Sequence, residues 1–417
     1  MDHRDARYLN LFGVRVGALP ASRHHLHGWH RELDERIARA AKAPGSARVN
    51  RAVEALARAL EGSGVLRMYV EEMIDLVPHD RKVVTSVGQL LAHLDHITRM
   101  APRWESDKAR RNFFPMSALF AEMMMDPAGE AAFRYPPFND AIRGILQEWC
   151  GYLNGPGSLD VLNEGPHGWL SPDARAYNQL DHFVVPDRKA PHWGWPSFNA
   201  FFHREIQPEV RPVAEPDDPR VVVSPNDGTL YRIARDVEES EQFWVKDEPY
   251  SLRDMLGGSA LLDRFLHGDV FQSYLSGANY HRWHAPVDGV VRAAHRVEGL
   301  MFSNLVADIS GIHSQAYYTA VNTRGLTFIE ADDPGIGMVC CMPVGITEIS
   351  SITLTAGRGD RVRKGDQLGY FSYGGSSVAV LFQPGAIERF TVEVPADPPQ
   401  PGQGVIEVNA QIAVAKG

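Results

Sequence analysis

Cysteine is scarce in this chain of 417 residues: Cys150, Cys340 and Cys341 are all it has. Adjacent cysteines pair poorly with one another, and none of the three falls at a metal-ligand spacing. A disulfide framework and a cysteine metal site are therefore excluded, and a reduced, cytoplasmic setting is the expectation. Positive charge is also in short supply. The 42 Lys and Arg face 52 Asp and Glu, for a net charge of −10, which leaves no basic footprint for nucleic acid or anionic lipid. No apolar run approaches the roughly 18 residues of a membrane span. The opening stretch "MDHRDARYLNLFGVRVGALP" alternates charged and apolar residues, unlike the continuous apolar segment of a secretory signal. Fixed-period repeats, low-complexity tracts and a G-x-x-x-x-G-K phosphate loop are absent too.

What is present reads as a soluble globular protein, 44% hydrophobic and 23% charged, too long for one ordinary core. Two textures divide it. Val49, Val53, Leu56 and Leu60 recur at helical spacing, as do Val70, Ile74 and Val77, then Leu90, Leu94 and Ile97, then Ile142, Leu146, Trp149 and Leu153. Such stripes are the buried faces of amphipathic helices. The run Met123-Met124-Met125 reads as helix core, because Met fills irregular gaps. The segment "NGPGSLDVLNEGPHGWLSPD" (154–173) is loop or boundary. Beyond it, short β-branched runs such as "RVVVSP", "SSITLT" and "AVLF" lie between Gly, Asp and Pro turns, the pattern of an antiparallel β-rich domain. The expected fold is α+β. Residues 1–155 would form a helical domain, 156–192 an irregular linker and 193–417 the β domain. Hairpins are expected at "GDRVRKGDQLGYF" (359–371) and at Pro225-Asn226-Asp227-Gly228.

Three short stretches carry side chains suited to chemistry. In "YGGSSVAVLF" (373–382), two glycines and two hydroxyls precede an apolar strand. Val378 stands where a nucleophile elbow needs its last glycine, so a hydrolase serine is disfavoured. A plain turn and a strained Gly375-Ser376 peptide, with the hydroxyl over its own backbone carbonyl, both fit. In "ANYHRWHAPVDG" (278–289), His281 and His284 suit proton transfer in either direction. Structural histidines fit equally, whereas no third ligand stands at a zinc spacing. In "VVVSPNDGTLYRI" (221–233), Asp227 is a turn residue or a carboxylate that orients a histidine.

Taken in order, "WPSFNAFFHREIQPEVRPV", "SPNDGTL", "VKDEPYSLRDMLGG", "YHRWHAPVDG" and "GDRVRKGDQLGYFSYGGSSVAVLF" resemble the phosphatidylserine decarboxylase family of pyruvoyl enzymes over roughly residues 190–390. Within that family "YHRWHAPV", "FIEADDPGIG" and "GITEIS" look closest to the fungal-type L-tryptophan decarboxylases, a branch that also carries a helical N-terminal extension. The resemblance implies a phosphatidylserine-decarboxylase-like β domain and self-cleavage between Gly375 and Ser376. The family's usual Gly-Ser-Thr is here Gly375-Ser376-Ser377, which keeps the hydroxyl and loses a methyl group. Asp227, His284 and Ser376 match the family's maturation triad. In that scheme His284, held by Asp227, accepts the Ser376 proton, and the hydroxyl attacks the Gly375 carbonyl. Elimination then leaves dehydroalanine, which hydrates and loses ammonia to give a covalent pyruvoyl group at residue 376. The cofactor is thus made from the chain, without pyridoxal phosphate or metal, and acts on an amine substrate by Schiff-base chemistry. His281, the first histidine of the family's His-x-x-His pair, would supply acid–base chemistry in the decarboxylation, with His284 as the alternative proton donor.

The implied activity is a carboxy-lyase whose substrate is a soluble, aromatic, tryptophan-like L-amino acid. Trp193, Trp195 and Trp283 would suit a pocket for it, or simply a core. The alternative is a phosphatidylserine decarboxylase of phospholipid biosynthesis, in peripheral contact with a membrane. A more remote one is a carrier-like binding module, because "GDRVRKGDQLGYF" is similar to biotinyl and lipoyl hairpins; those present a lysine where this chain has "YGGSSV". Lys246 and Tyr250 fall within a matching motif and read as structural. The cleaved chains are expected to stay associated, with a homo-oligomer allowed.

Overall fold

The structure, a computed structural model, describes residues 8–9, 11–42, 49–240, 250–277, 279–302, 315–346, 348, 351–373, 375–395 and 403–417. Lys246 and Gly374 lie outside them. The chain forms two compact units. One comprises the described residues of Met1–Asn178, Val185–Phe201 and Leu300–Ile312; the other, those of Gln179–Val184, Phe202–Gly299 and His313–Gly417.

The first unit is helical. Its longest helices are Arg23–Ala41, Arg51–Gly62, Gly64–Asp75, Val87–Ile97 and Pro136–Leu153. Four begin on a side chain that accepts an otherwise orphaned N–H, namely Ser22, Asn50, Ser63 and Ser86. The fifth begins at Pro136, where a missing N–H costs nothing. Their apolar stripes are buried as the spacing requires, Leu56, Leu90, Leu94 and Ile97 completely. Val49 is the exception: it precedes its helix and is 45% exposed. Met123 and Met124 are buried in a short 3-10 turn, so the Met run does serve the core. A late piece of chain also belongs here. The Phe302 ring lies 5.7 Å from Phe120 and 5.3 Å from Phe133, and the Met301 N–H donates to Asn139.

The second unit is built from antiparallel β-sheet, which with the helical unit gives the α+β class. Among the described residues its large sheet has eight strands, in the order Val405–Ile406, Gly228–Val237, Gly268–Leu275, Gly375–Phe382, Met338–Ile346, Arg324–Ala331, Gly289–Val297 and Arg361–Val362. Two three-stranded sheets accompany it. One orders Val221–Val223, Gln411–Ala415 and Ile387–Phe390; the other orders Arg282–His284, Gln367–Phe371 and Ile352–Leu354. Val222, Trp283, Phe271, Val378 and Ile412, drawn from all three sheets, share one buried cluster.

The turns correct the sequence reading. The strands on either side of Pro225-Asn226-Asp227-Gly228 lie in different sheets, as do those flanking Lys364-Gly365-Asp366, so neither is a hairpin. The stretches after His284 and after Phe371 change sheet in the same way. Gly, Asn and Asp dictate that the chain bends; which strand it then joins is decided by burial far along the sequence. Asp227 and His284 sit at these corners, His281 just before the strand Arg282–His284 and Ser376 at the start of the strand Gly375–Phe382.

Candidate active site

The strand Gly375–Phe382 lies inside the large sheet, paired on both edges: Ser376 stands opposite Leu275 on one side and Gly345 on the other. Because side chains alternate across a strand, Ser376 shares a face with Val378, Val380 and Phe382, all members of the buried cluster. Ser377 faces the other way. Both serines are fully buried, with opposite fates. The Ser377 hydroxyl donates to the Ser273 carbonyl at 2.9 Å and accepts from Gln272 Nε2 at 2.8 Å. Gln272 is itself held by Tyr250, whose hydroxyl donates to Oε1 at 2.7 Å. The Ser376 hydroxyl has no hydrogen-bond partner among the described residues. A buried hydroxyl left that way costs free energy on the order of 1–3 kcal/mol, and a native fold retains such a group for a reason.

The histidine pair flanks and forms the short strand Arg282–His284, which pairs with Gln367–Phe371, the strand that leads directly into the turn before Ser376. The His281 carbonyl accepts from the Phe371 N–H at 2.9 Å, and its buried ring lies against Phe202, centroids 3.9 Å apart. Phe202 in turn meets Tyr373, whose phenol burial pushes far above its ordinary pKa. His281 is thereby tied to both ends of the approach to Ser376. Trp283, between the two histidines, points into the core against Phe371. Trp193 and Trp195 belong to the helical unit, where Trp193 donates to Glu164.

His284 is fixed on both ring nitrogens. Nδ1 donates to the Gly365 carbonyl at 2.6 Å, which assigns the proton to that nitrogen, and Nε2 accepts from the Tyr280 hydroxyl at 2.8 Å. Burial lowers the His284 pKa, so the ring is a neutral imidazole with a basic Nε2 at neutral pH. Burial also raises the Tyr280 pKa, which keeps that hydroxyl a donor. Gly365 adopts φ +85°, and a Cβ there would come within 2.6 Å of Val213, so glycine is required for its carbonyl to reach the ring. The corner is stitched by further bonds. The Lys364 N–H donates to Asp288, Lys364 Nζ to the carbonyls of Glu215 and Asp218, and the His284 N–H to the Pro225 carbonyl.

Asp227 is anchored beside this corner. Its carboxylate takes a bidentate pair from Arg211, both contacts 3.1 Å, and the Val408 N–H at 2.7 Å. It makes no hydrogen bond to His284 among the described residues. Its charge nonetheless opposes the burial effect on that ring, raising the His284 pKa. Sequence reasoning missed Tyr280, Gly365 and Arg211, although each lies inside or beside a motif it used. No group of three or more His, Cys, Asp or Glu among the described residues is placed to hold a metal ion.

Comparison with known proteins bears on this arrangement. A family model described as phosphatidylserine decarboxylase matches residues 198–406, and a second phosphatidylserine decarboxylase model matches residues 50–177. The chain is 37% identical to the decarboxylase iboD of Amanita muscaria over 67% of this chain and 87% of the relative. It is 29% identical to an L-tryptophan decarboxylase of Psilocybe cubensis, over 72% and 74%. A phosphatidylserine decarboxylase proenzyme of Chlamydia felis is 33% identical, over 53% and 71%.

Proposed function

This chain belongs to the phosphatidylserine decarboxylase family and is a carboxy-lyase, and we propose that it matures by cutting itself between Gly375 and Ser376 and then decarboxylates a soluble aromatic L-amino acid. The observation that carries the maturation reading is the buried Ser376 hydroxyl, which bonds to nothing described around it. Its neighbour Ser377 shows that the fold is able to satisfy a serine at this depth. A hydroxyl left unpaired beside a glycyl carbonyl is a nucleophile held in reserve.

Ser376 Oγ attacks the Gly375 carbonyl carbon, and its proton passes to His284 Nε2; the acyl group moves from the Ser376 nitrogen to its oxygen. Gly365 holds the ring in the tautomer that exposes Nε2, the duty a carboxylate performs in a Ser-His-Asp group. Asp227, pinned by Arg211, stabilises the imidazolium by charge across the corner. Tyr280 keeps the receiving nitrogen oriented and must release it for the transfer. Loss of the Ser376 α-proton then expels the Gly375 carboxylate, and addition of water with loss of ammonia leaves the pyruvoyl group. The residues present fit that group, since its precursor Ser376 is already buried and its hydroxyl gives up no hydrogen bond to a described residue when it reacts. Once formed, it would supply a carbonyl electron sink for departing CO2. His281 delivers the proton that the substrate α-carbon must regain.

Similarity to a named L-tryptophan decarboxylase supports the substrate class. Among the described residues no helix is long and apolar enough to cross a membrane. Similarity to phosphatidylserine decarboxylase proenzymes supports the second reading, a phospholipid substrate. CO2 release from tryptophan and related amino acids without detergent supports the first; release only from phosphatidylserine vesicles selects the second. Ser376→Ala tests maturation: one full-length band on a denaturing gel is expected where wild type gives two.

A further inference from the structure

The nitrogen that would take the Ser376 proton is already occupied. His284 Nδ1 spends its hydrogen on the Gly365 carbonyl, so Nε2 alone remains as a base, and the Tyr280 hydroxyl donates to it at 2.8 Å. Tyr280 is held firmly in that position. It belongs to a buried cluster with Phe183 and Val408, and its ring stacks on the imidazole with centroids 5.5 Å apart. Burial also keeps the phenol protonated at neutral pH, hence a donor.

Ser376 shows the other half of the arrangement. Its buried hydroxyl is bonded to neither His284 nor Tyr280. A proton relay through the phenol would need a bond from Ser376 to Tyr280, and the structure has none. Base and nucleophile are both present and both disengaged. The bond that disengages the base is local: Tyr280 and His284 are four residues apart, whereas Gly365 lies 81 residues beyond His284. Local contacts close at less entropic cost than distant ones. The cap on Nε2 can therefore form before the strand carrying Ser376 joins the sheet.

We propose that the Tyr280 hydroxyl is a latch on maturation, resting on the reading that His284 accepts the Ser376 proton. It caps Nε2 in the uncut chain, and self-cleavage runs from the state in which the cap has lifted. The phenol keeps its own proton throughout and sets how often the base is free. A capped imidazole also resists protonation, because the donor must leave Nε2 before a proton can arrive. Arg282 opposes that proton as well, while the Gly365 carbonyl, Asp227 and Asp366 favour it.

Pulse–chase labelling of newly translated full-length chain, followed on denaturing gels from pH 5 to pH 8, tests the latch. Tyr280→Phe keeps the ring and deletes the donor. It is expected to cleave about tenfold faster than wild type at neutral pH, the weight of one hydrogen bond. Its low-pH limb, where protonated His284 stops the reaction, moves to higher pH, since the uncapped imidazole protonates more readily. Loosened packing would instead slow cleavage at every pH and leave that limb in place. Tyr280→Met, which also lacks the donor, repeats the measurement if a thermal melt shows Tyr280→Phe unfolded. Tyr152→Phe removes a phenol that bonds within the helical unit and leaves the rate unchanged. His284→Gln, run in parallel, separates the latch from the reading beneath it. With His284→Gln uncut, equal or slower cleavage by the folded donor-less variant overturns the latch alone. Cleavage by His284→Gln removes the base, and the latch with it.

Discussion

The two faces of the strand Gly375–Phe382 treat neighbouring serines in opposite ways. On one face Ser377 is the end of a chain of hydrogen bonds through Gln272 to Tyr250. On the other, one residue away, Ser376 is as deeply buried and bonds to nothing described. Depth, strand and side-chain type are the same, so none of them explains the difference. The Ser377 face is architecture, where the serine hydroxyl, Gln272 and Tyr250 pair with one another and the strand is locked in register. The unsatisfied face bears a stability cost that makes sense when the hydroxyl has a reaction to perform.

The comparison breaks most sharply at Ser376 itself. Ser376→Ala is expected to abolish cleavage and all activity without lowering the melting temperature, because the hydroxyl contributes no bond; a gel and a thermal melt of the same sample read both. His281→Ala comes next. It should cleave normally and lose decarboxylation by about a hundredfold or more, the scale of a missing general acid; equal loss of both steps rejects the divided roles. Gly365→Ala keeps every candidate side chain but displaces the carbonyl that orients His284. Time-resolved gels should show maturation slowed on the order of tenfold, about 1.4 kcal/mol in the barrier. Ser377→Ala sharpens the other face. It strands one of the two Gln272 Nε2 N–H groups, the other staying on the Gln315 carbonyl, so chemical denaturation should show a loss of about 1–3 kcal/mol with little change in the cleavage site.

The smallest effect separates the two units. Burial drives the pKa of His30 in the helical unit down to about 3 and that of His203 in the β unit down to about 4, against an ordinary 6.5. As pH falls below 6.5 the unfolded chain takes up these protons and the folded chain does not, so stability declines from there towards the folded values. A melting-temperature series from pH 7 to pH 5 should slope downward, and His30→Asn should flatten part of that slope.

Much of the helical unit could be read from its letters, since Leu90, Leu94 and Ile97 encode a buried face by spacing alone. Ser376, His281, His284 and Asp227 were legible as candidates, because nucleophiles, imidazoles and carboxylates are few and their motifs short. The partner of His284 was not. It is the carbonyl of Gly365, a group every residue carries, placed by a backbone conformation that a single letter only hints at. The strong turn signals at Asn226-Asp227-Gly228 and Lys364-Gly365-Asp366 suggested hairpins because local chemistry specifies a bend but not the sheet that follows. Arg211, sixteen residues from Asp227 in sequence, becomes visible as its partner only once the corner has formed.

The most direct test is the intact mass of the purified protein under denaturing conditions. The expected result is two chains divided after Gly375, the later one lighter by one ammonia than a chain beginning with serine. A single undivided chain that retains an ordinary serine at 376 contradicts self-processing and removes the reason offered here for its unpaired hydroxyl.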